Sequence, residues 1–299
     1  MTPAKLLLLG EHTVLHGGDA LAVPLPQFGA RWSVSAPTES QPFPRWAAYA
    51  KTAVTPAEGQ APMATWLDVD RFAAEASVLT VDSTIPRDYG LGSSGALTAL
   101  VYARYRREPA DPPLPQLRRR LGQLESFFHG RSSGLDPLVC YRRTGVHVRA
   151  DGAVATLAPP RLATERGRWF LLDARQPKAG HAAIARFRAS AQEAGFRQNF
   201  LRPARTLTAE LIAELSSGPQ EPGEGWVRGL RQLSALQLAY LPWLIPEAVA
   251  AAWRRLLDAD AAYVKLCGAG GGGYFLGWAP AGGELGGLGV TWLGEEAPG

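Results

Sequence analysis

Hydrophobic and polar positions follow two different periods along this chain, and each period predicts a different element. Short apolar runs closed by turn residues predict β-strands at Leu6–Leu9, Ala20–Leu25 and Val78–Ile85. Apolar residues three and four positions apart predict amphipathic helices over Ser93–Arg106 and Pro115–Phe128. Strands and helices are therefore mixed within the first half of the chain.

A polar, proline-containing stretch, Ala158–Arg168, predicts a junction between two domains, at residues 1–162 and 163–299. After it, Trp169–Asp173 is a predicted strand, and three or four helices are predicted over Gly180–Leu257. Further strands are predicted at Gly145–Arg149, Val154–Leu157, Ala262–Leu266 and Tyr274–Trp278. This order favours an α+β protein of two domains over a doubly wound sheet.

Composition narrows the class of protein. Of the 299 residues, 46% are hydrophobic and 19% are charged, as in globular proteins. The apolar runs are far shorter than the roughly 18 residues of a membrane span, so we expect no membrane partner. The two cysteines, Cys140 and Cys267, lie far apart and outside any metal-ligand spacing. Their placement favours reduced thiols and a cytoplasmic location.

The basic residues favour small anionic partners over nucleic acid. The net charge is +4, and the one dense basic run, Arg118–Arg120, contains no interleaved aromatic residue. We therefore expect no nucleic-acid partner. Only four of the 31 basic residues are lysines, and two of these, Lys5 and Lys265, fall in segments that carry candidate chemistry. A compact ammonium group is suited to phosphate binding, which makes both lysines candidates for that role.

The segment Gly90–Gly95 lies between a predicted strand and a predicted helix and has the composition of a phosphate-binding loop. Its glycines allow a tight turn, so that backbone N–H groups and the helix N-terminus can surround a phosphate. Ser93 and Ser94 can cap the helix, or one hydroxyl can reach a metal ion on the phosphates. The alternative without a ligand is a capped helix after a glycine turn.

The same residues match the dinucleotide-binding pattern G-x-G-x-x-G. That fold needs a second strand about 20 residues later. Glu108–Pro113 occupies that distance and contains three prolines, which exclude a central strand. The context therefore argues against a dinucleotide site.

A second glycine cluster, Gly268–Gly273, joins two predicted strands. Four consecutive glycines within it cost conformational entropy, so a close approach to the backbone is implied. A flexible hairpin is the alternative.

Two carboxylates complete the candidate chemistry. Glu125 lies at the inner edge of an apolar stripe and in the last helical turn, where the helix dipole disfavours negative charge. A bound Mg²⁺ would compensate for both features. Asp136 follows the turn Ser132–Leu135, which leads into the apolar run Leu138–Tyr141. Taken singly, either acid is as well explained by a surface carboxylate.

In this order, the segments resemble the motifs of the GHMP kinase superfamily. The stretch Gly10–Gly17, with the sequence G-E-H-T-V-L-H-G, is most similar to the mevalonate kinases. The resemblance implies an α+β fold, with an N-terminal ribosomal-protein-S5-like domain for the nucleotide and a C-terminal ferredoxin-like domain carrying the second glycine loop. It also implies ATP and Mg²⁺ as cofactors and a mevalonate-like hydroxy acid as substrate.

The resemblance assigns roles to individual residues. Asp136 would act on the substrate hydroxyl, and Lys5 would lie near it and the transferred phosphate. Ser94 and Glu125 would hold Mg²⁺. The implied ATP-binding residues are Gly90, Leu91, Gly92, Ser93, Ser94, Gly95, Gly268, Ala269, Gly270 and Gly271.

The acceptor pocket would be lined by Glu11 and His12. A substrate carboxylate needs a compensating cation or hydrogen-bond donor, which we expect from His12 or from an arginine.

The chain departs from the superfamily motifs at three positions. Ala4 precedes Lys5 where glycine is usual, Asp88 stands where glycine or alanine is usual, and Pro137 follows Asp136 in place of asparagine. These departures do not affect the kinase assignment but weaken the substrate assignment. The alternatives are a phosphomevalonate or sugar kinase, or a catalytically inactive ligand-binding member. The sequence also leaves a homodimer open.

Overall fold

The computed structural model describes residues 1–33, 41–52, 61–178, 181–217 and 223–294. The strands are β1 Thr2–Leu9, β2 Ala20–Trp32, β3 Val81–Ser83, β4 Gly145–Val148, β5 Val154–Leu157, β6 Ala163–Thr164, β7 Gly167–Asp173, β8 Tyr263–Leu266, β9 Tyr274–Pro280 and β10 Val290–Trp292. The α-helices are α1 Phe43–Thr52, α2 Val69–Glu75, α3 Ser93–Tyr105, α4 Leu114–His129, α5 Leu135–Arg142, α6 His181–Ser190, α7 Ala194–Phe196, α8 Arg202–Ser217, α9 Glu224–Tyr240 and α10 Glu247–Asp258.

Most predicted elements are present, with three differences. The predicted strand Val78–Ile85 shortens to β3, because Val78 is exposed and its N–H bonds to the Glu75 carbonyl at the end of α2. The apolar run Leu138–Tyr141 belongs to a helix, α5, and the predicted junction Ala158–Arg168 contains the short strand β6. Gly180, the predicted start of the C-terminal helices, lies outside the described residues.

Two sheets organise the described strands. The first has the order β1-β2-β4-β5 with β3 beside β2, and β3 pairs antiparallel with β2 from Ala30↔Ser83 to Trp32↔Val81. The second has the order β10-β7-β9-β8 with β6 beside β7, and all its pairs are antiparallel. Mixed helices and antiparallel strands confirm the predicted α+β class.

The described residues form two compact units. The first unit comprises residues 1–5, 23–86 and 92–146, and the second comprises residues 6–22, 87–91 and 147–299 apart from the undescribed ones. The domain boundary between residues 162 and 163 stays a prediction. In the ranges that the structure covers, none of the helices is long and apolar enough to cross a lipid bilayer.

Each unit has its own aromatic core. In the first unit, Trp46 and Phe72 are fully buried and pack edge to face. Trp46 Nε1 also donates a hydrogen bond to the Leu124 carbonyl at 2.9 Å, which fixes the last turns of α4 against α1. In the second unit, Trp226 and Trp278 are buried and in contact. Burial of such large rings dominates the apolar stabilisation of each core.

The turn between α4 and α5 determines where Asp136 lies, and it depends on Gly134. Gly134 caps α5 with φ of +71°, a left-handed conformation that favours glycine. A Cβ atom at this position would lie 2.1 Å from the Arg118 carbonyl oxygen and 2.9 Å from the Gly122 nitrogen. The backbone of α4 therefore passes too close to this turn for any side chain.

We expect Gly134→Ala to destabilise the protein more than Gly130→Ala. Both glycines have φ near +70°, but a Cβ at Gly130 would meet nothing within 4 Å. Both substitutions incur backbone strain, which is about 1–2 kcal/mol for the left-handed conformation of Gly134. Gly134→Ala adds steric crowding of about 1–3 kcal/mol. Urea denaturation of the two variants measures the difference. Equal losses of unfolding free energy would mean that the close approach of α4 has no energetic weight.

Candidate active site

In the first unit, the phosphate-loop glycines lead directly into α3. Gly92 is the N-cap residue of α3, and no side chain caps the helix. This differs from the expectation that Ser93 or Ser94 caps it. The backbone N–H groups of the first turn are therefore not used by a side-chain cap. An uncapped helix N-terminus with its positive dipole end suits an anion such as a phosphate.

Asp136 lies against the start of α3. A Cβ atom added at Gly95 would lie 2.9 Å from the Asp136 carbonyl carbon, so α3 and α5 meet with no side chain between them. A Cβ at Gly92 would lie 3.6 Å from Asp136 Oδ2 and 3.3 Å from Lys5 side-chain carbons. Gly92 and Gly95 of the predicted phosphate loop are thus brought together with Lys5 and Asp136 in the first unit.

Lys5 and Asp136 form an ion pair with 2.9 Å between Nζ and Oδ2. Lys5 is almost completely buried, whereas the Asp136 side chain is 34% exposed. Asp136 also stands in the first turn of α5, where the helix dipole favours a carboxylate. The pair therefore presents a partly accessible carboxylate beside a buried ammonium group.

Ser94 and Glu125 are also in contact, as the sequence predicted for a shared metal site. Ser94 Oγ donates a hydrogen bond to Glu125 Oε1 at 3.0 Å, and Ser132 Oγ donates to Glu125 Oε2. Glu125 is only 4% exposed. Burial, followed by the nearby charge of Asp136, raises the pKa of Glu125 above its ordinary value. The carboxylate thus lies where positive charge would stabilise it.

This donor set fits Mg²⁺. Ser94 and Glu125 offer a hydroxyl and a carboxylate oxygen, with Asp136 close by, and hard oxygen donors are what Mg²⁺ prefers. In the described ranges, no three His, Cys, Asp or Glu side chains converge to form a complete metal cage. One or two protein ligands are usual for Mg²⁺ at nucleotide sites, because phosphate and water oxygens complete its coordination.

His129 is a contact that the sequence interpretation missed. Its Nε2 lies 3.0 Å from Ser94 Oγ, so the Ser94 hydroxyl is held between His129 and Glu125. A signal was available, because His129 follows Glu125 by four residues and so shares its face of α4. The resemblance to the superfamily motifs assigns Ser94 to a metal site and gives no role to His129.

In the second unit, Glu11 is buried and forms an ion pair with Lys265 of β8. Burial raises the pKa of Glu11, and the Lys265 ammonium opposes this shift. Lys265 also donates a hydrogen bond to the Leu266 carbonyl at 2.7 Å. The Glu11 carboxylate is thus engaged inside the protein, and a direct role in lining an acceptor pocket remains a prediction.

His12 is held in contact with the second glycine loop. Its Nε2 lies 3.0 Å from the Ala269 carbonyl oxygen, and its ring stacks on Phe187 with centroids 4.6 Å apart. A carbonyl can only accept, so Nε2 carries the proton in this bond. Burial, as the largest cause, lowers the pKa of His12 to about 4.

His12 is therefore neutral near pH 7 and has no net charge to offer a substrate carboxylate. This corrects the expectation that His12 could be the compensating cation, and the expectation now falls on an arginine. The physical reason is desolvation, which disfavours the imidazolium form. Phe187, which creates much of that environment, stands 175 residues from His12 and carries no motif that could have identified it.

The second glycine loop follows β8 and adopts positive φ at Gly268, Gly270 and Gly271. Its last residue, Gly273, approaches Tyr89 of the same unit, since a Cβ there would lie 2.9 Å from Tyr89 Cα. The Tyr274 N–H also bonds to the Tyr89 carbonyl at 3.3 Å. The close backbone approach that the glycines imply is thus present in the second unit.

We expect Lys265→Met to destabilise the protein, and more strongly at pH 8 than at pH 5. Loss of the ammonium leaves Glu11 buried and unpaired, which typically costs about 3–5 kcal/mol when the carboxylate is ionised. Without Lys265, the main opposition to the effect of burial on Glu11 is gone. The folded pKa of Glu11 therefore rises further above its unfolded value. Such a group supports the fold when protonated at low pH, and that support is lost as the pH rises through the folded pKa.

Urea denaturation at both pH values, relative to the wild type, measures this effect. The double variant Glu11→Gln/Lys265→Met is the control, since a neutral amide removes the extra dependence on pH. A Lys265→Met penalty that is the same at pH 5 and pH 8 would contradict a buried, uncompensated Glu11.

The chain is similar to known proteins both in sequence and in fold. Residues 63–143 match the family profile of the GHMP kinases N terminal domain. No curated protein sequence matches the chain.

Solved structures match over nearly the whole chain. Mevalonate kinase of Methanococcus jannaschii is 14% identical, with a TM-score of 0.65, covering 98% of this chain and 95% of that one. Leishmania major mevalonate kinase in complex with R-mevalonate is 14% identical, with a TM-score of 0.58 and coverage of 93% and 86%. Streptococcus pneumoniae phosphomevalonate kinase in complex with phosphomevalonate and AMPPNP is 16% identical, with a TM-score of 0.57 and coverage of 93% and 91%.

At these identities the structural matches establish the shared fold and not the substrate. The profile match adds sequence evidence over the segment that contains the phosphate loop Gly90–Gly95, Glu125 and Asp136. Together they confirm the resemblance of this chain to the GHMP kinase superfamily, with mevalonate kinases prominent among the similar structures.

Proposed function

We propose that this chain is an ATP- and Mg²⁺-dependent kinase that phosphorylates a hydroxyl group of a small hydroxy carboxylate, with mevalonate as the first candidate. The observation that carries the proposal is the Lys5–Asp136 ion pair beside the uncapped N-terminus of α3. A phosphate bound at that N-terminus would lie next to an acid suited to a hydroxyl proton. This combination is what phosphoryl transfer to an alcohol requires.

The residues of the first unit have complementary roles in this proposal. The N–H groups at the start of α3 bind phosphate oxygens. Asp136 orients the acceptor hydroxyl and accepts its proton as the hydroxyl oxygen bonds to the γ-phosphorus and the bond from that phosphorus to the ADP oxygen breaks. Lys5 balances the charge of Asp136 and stabilises negative charge on the transferred phosphoryl group. Phosphoryl transfer depends mainly on positioning and charge neutralisation, which these groups supply.

Ser94 and Glu125 are the residues that would hold Mg²⁺, which, when bound, neutralises charge on the nucleotide phosphates. Ser132 fixes one Glu125 oxygen, and His129 contacts the Ser94 hydroxyl. Both contacts restrict the rotamers of the two proposed ligands. A positioned ligand pair is more effective than a mobile one, because less entropy is lost on binding.

A catalytically inactive, ligand-binding protein is the alternative from another class. It would need an anion site but would not need Lys5, Ser94, Glu125 and Asp136 together. Their two pairwise contacts, at 2.9 and 3.0 Å, favour the enzyme. Cytoplasmic location and a homodimer remain part of the proposal.

The substrate assignment rests on two supports. The stretch Gly10–Gly17 is most similar to mevalonate kinases, and a similar fold is found in a mevalonate kinase bound to R-mevalonate. A phosphomevalonate kinase is similar to about the same degree, so that substrate is the main competitor.

We expect mevalonate to be phosphorylated with a kcat/KM at least about tenfold higher than galactose, homoserine or phosphomevalonate, a gap of ~1.4 kcal/mol in transition-state binding. A coupled assay of ADP formation with each acceptor measures it. A higher value for any of the other three would reject mevalonate and retain the kinase. Binding of Mg²⁺ and AMPPNP without turnover of any acceptor would favour the inactive alternative.

We expect Asp136→Asn to lower kcat by at least about 100-fold, the usual scale for a positioned acid or base. Binding of AMPPNP should stay within about twofold of the wild type, since the N–H groups of α3 are unchanged. Asp82→Asn is a matched control, because that aspartate lies in the same unit and its side chain is 53% exposed. Wild-type turnover in Asp136→Asn would remove this carboxylate from the mechanism.

A further inference from the structure

The Ser94 hydroxyl has two neighbours that could accept its proton. Its Oγ lies 3.0 Å from Glu125 Oε1 and 3.0 Å from His129 Nε2. In the part of the chain that the structure describes, these two groups are its hydrogen-bond partners. A serine hydroxyl has one O–H donor and two lone pairs. It can therefore donate to only one of the two neighbours at a time.

The direction of this proton matters because Ser94 and Glu125 are the two proposed Mg²⁺ ligands. In octahedral Mg²⁺ sites with ligand distances of about 2.0–2.1 Å, neighbouring oxygen ligands are about 2.9 Å apart. Ser94 Oγ and Glu125 Oε1 already have nearly this separation. A hydroxyl proton between the two oxygens would repel a cation that both of them bind, so Ser94 must then donate to another group.

The helix α4 brings His129 to Ser94. His129 is the last residue of α4 and follows Glu125 by four positions, so the two side chains share a face, one turn apart. Gly130 follows directly, and its N–H bonds to the Ser126 carbonyl at 2.7 Å. The imidazole therefore reaches Ser94 from the same helix that carries Glu125.

The His129 imidazole can accept the Ser94 proton. In a neutral histidine, one ring nitrogen is an N–H donor and the other is an acceptor. With the ring proton on Nδ1, the Nε2 lone pair faces the Ser94 hydroxyl. The second oxygen of Glu125 does not need the Ser94 proton, because Oε2 accepts from Ser132 Oγ.

We infer that His129 is a positioning residue of the proposed Mg²⁺ site. Its Nε2 accepts the Ser94 hydroxyl proton, which leaves lone pairs of Ser94 Oγ and Glu125 Oε1 available to the cation. The inference rests on the proposed function and extends it to a residue outside the ligand pair. Loss of such a partner of a metal ligand typically weakens metal binding about 10–100-fold.

The strengthening of AMPPNP binding by Mg²⁺ measures this role without turnover. Isothermal titration of the full chain with AMPPNP, once with saturating Mg²⁺ and once with EDTA, gives the ratio of the two affinities. We expect His129→Phe to lower this ratio at least about tenfold relative to the wild type. The affinity in EDTA should stay within about twofold, since the N–H groups of α3 are unchanged.

Two polar variants separate the acceptor atom from the bulk of the ring. The amide oxygen of glutamine can take the place of Nε2, so His129→Gln should retain most of the wild-type ratio. The asparagine side chain is one carbon shorter and ends before Ser94, so His129→Asn should behave like His129→Phe. His129 is exposed, and we expect all three variants to fold, which urea denaturation checks.

A double-variant cycle tests whether His129 acts through Ser94. We expect Ser94→Ala alone to lower the affinity ratio, because it removes a proposed ligand. Adding His129→Phe to Ser94→Ala should lower the ratio no further, since the proton that His129 accepts is gone. A general structural role of His129 would instead give additive effects.

A His129→Phe ratio equal to that of the wild type would overturn the inference. Equal ratios in His129→Gln and His129→Asn, or additive effects in the double variant, would also overturn it, and each of these results leaves the proposed cation site in place. A wild-type affinity that is the same with Mg²⁺ and with EDTA would overturn the cation site itself, and the role of His129 with it.

Discussion

The packing of α3 against α5 without an intervening side chain is the constraint on which the candidate site depends. At Gly95 the two helices approach so closely that even a Cβ atom would collide with the Asp136 backbone. This contact joins an uncapped helix N-terminus, which attracts anions, to a helix that begins with an aspartate. The buried ammonium of Lys5 compensates for the charge that the arrangement concentrates.

The same constraint creates an electrostatic imbalance around Glu125. A carboxylate buried beside Asp136 is destabilised by desolvation and by like charge, and the hydroxyls of Ser94 and Ser132 relieve this only in part. Positive charge supplied from outside the protein would relieve more of it. The chain thus maintains a region of unfavourable charge at the point where the proposed function needs a cation, as is common at functional sites.

In the second unit, Glu11 and His12 are fixed to β8 and to the second glycine loop by two different contacts. Glu11 is tied to Lys265 by charge, and His12 is tied to Ala269 by a neutral hydrogen bond. Neither side chain is free to supply a cation to a substrate. Under the proposed function, the cation for a substrate carboxylate is expected from an arginine. Arg205 is one arginine close to these residues, because its guanidinium donates a hydrogen bond to the Gly17 carbonyl in the turn that follows them.

The sequence by itself determined the local features: the main strands and helices, the two glycine loops, and the candidate set Lys5, Ser94, Glu125 and Asp136. These follow from periodicity, turn chemistry and motif order, which act over a few residues. Only the tertiary structure decided that Lys265 pairs with Glu11, 254 positions away, and that His12 bonds to Ala269, 257 positions away. The burial that keeps His12 neutral likewise comes from distant segments. Which side chains pair, and how strongly a group is desolvated, depend on which distant segments of the chain pack together. Local sequence patterns do not contain that information.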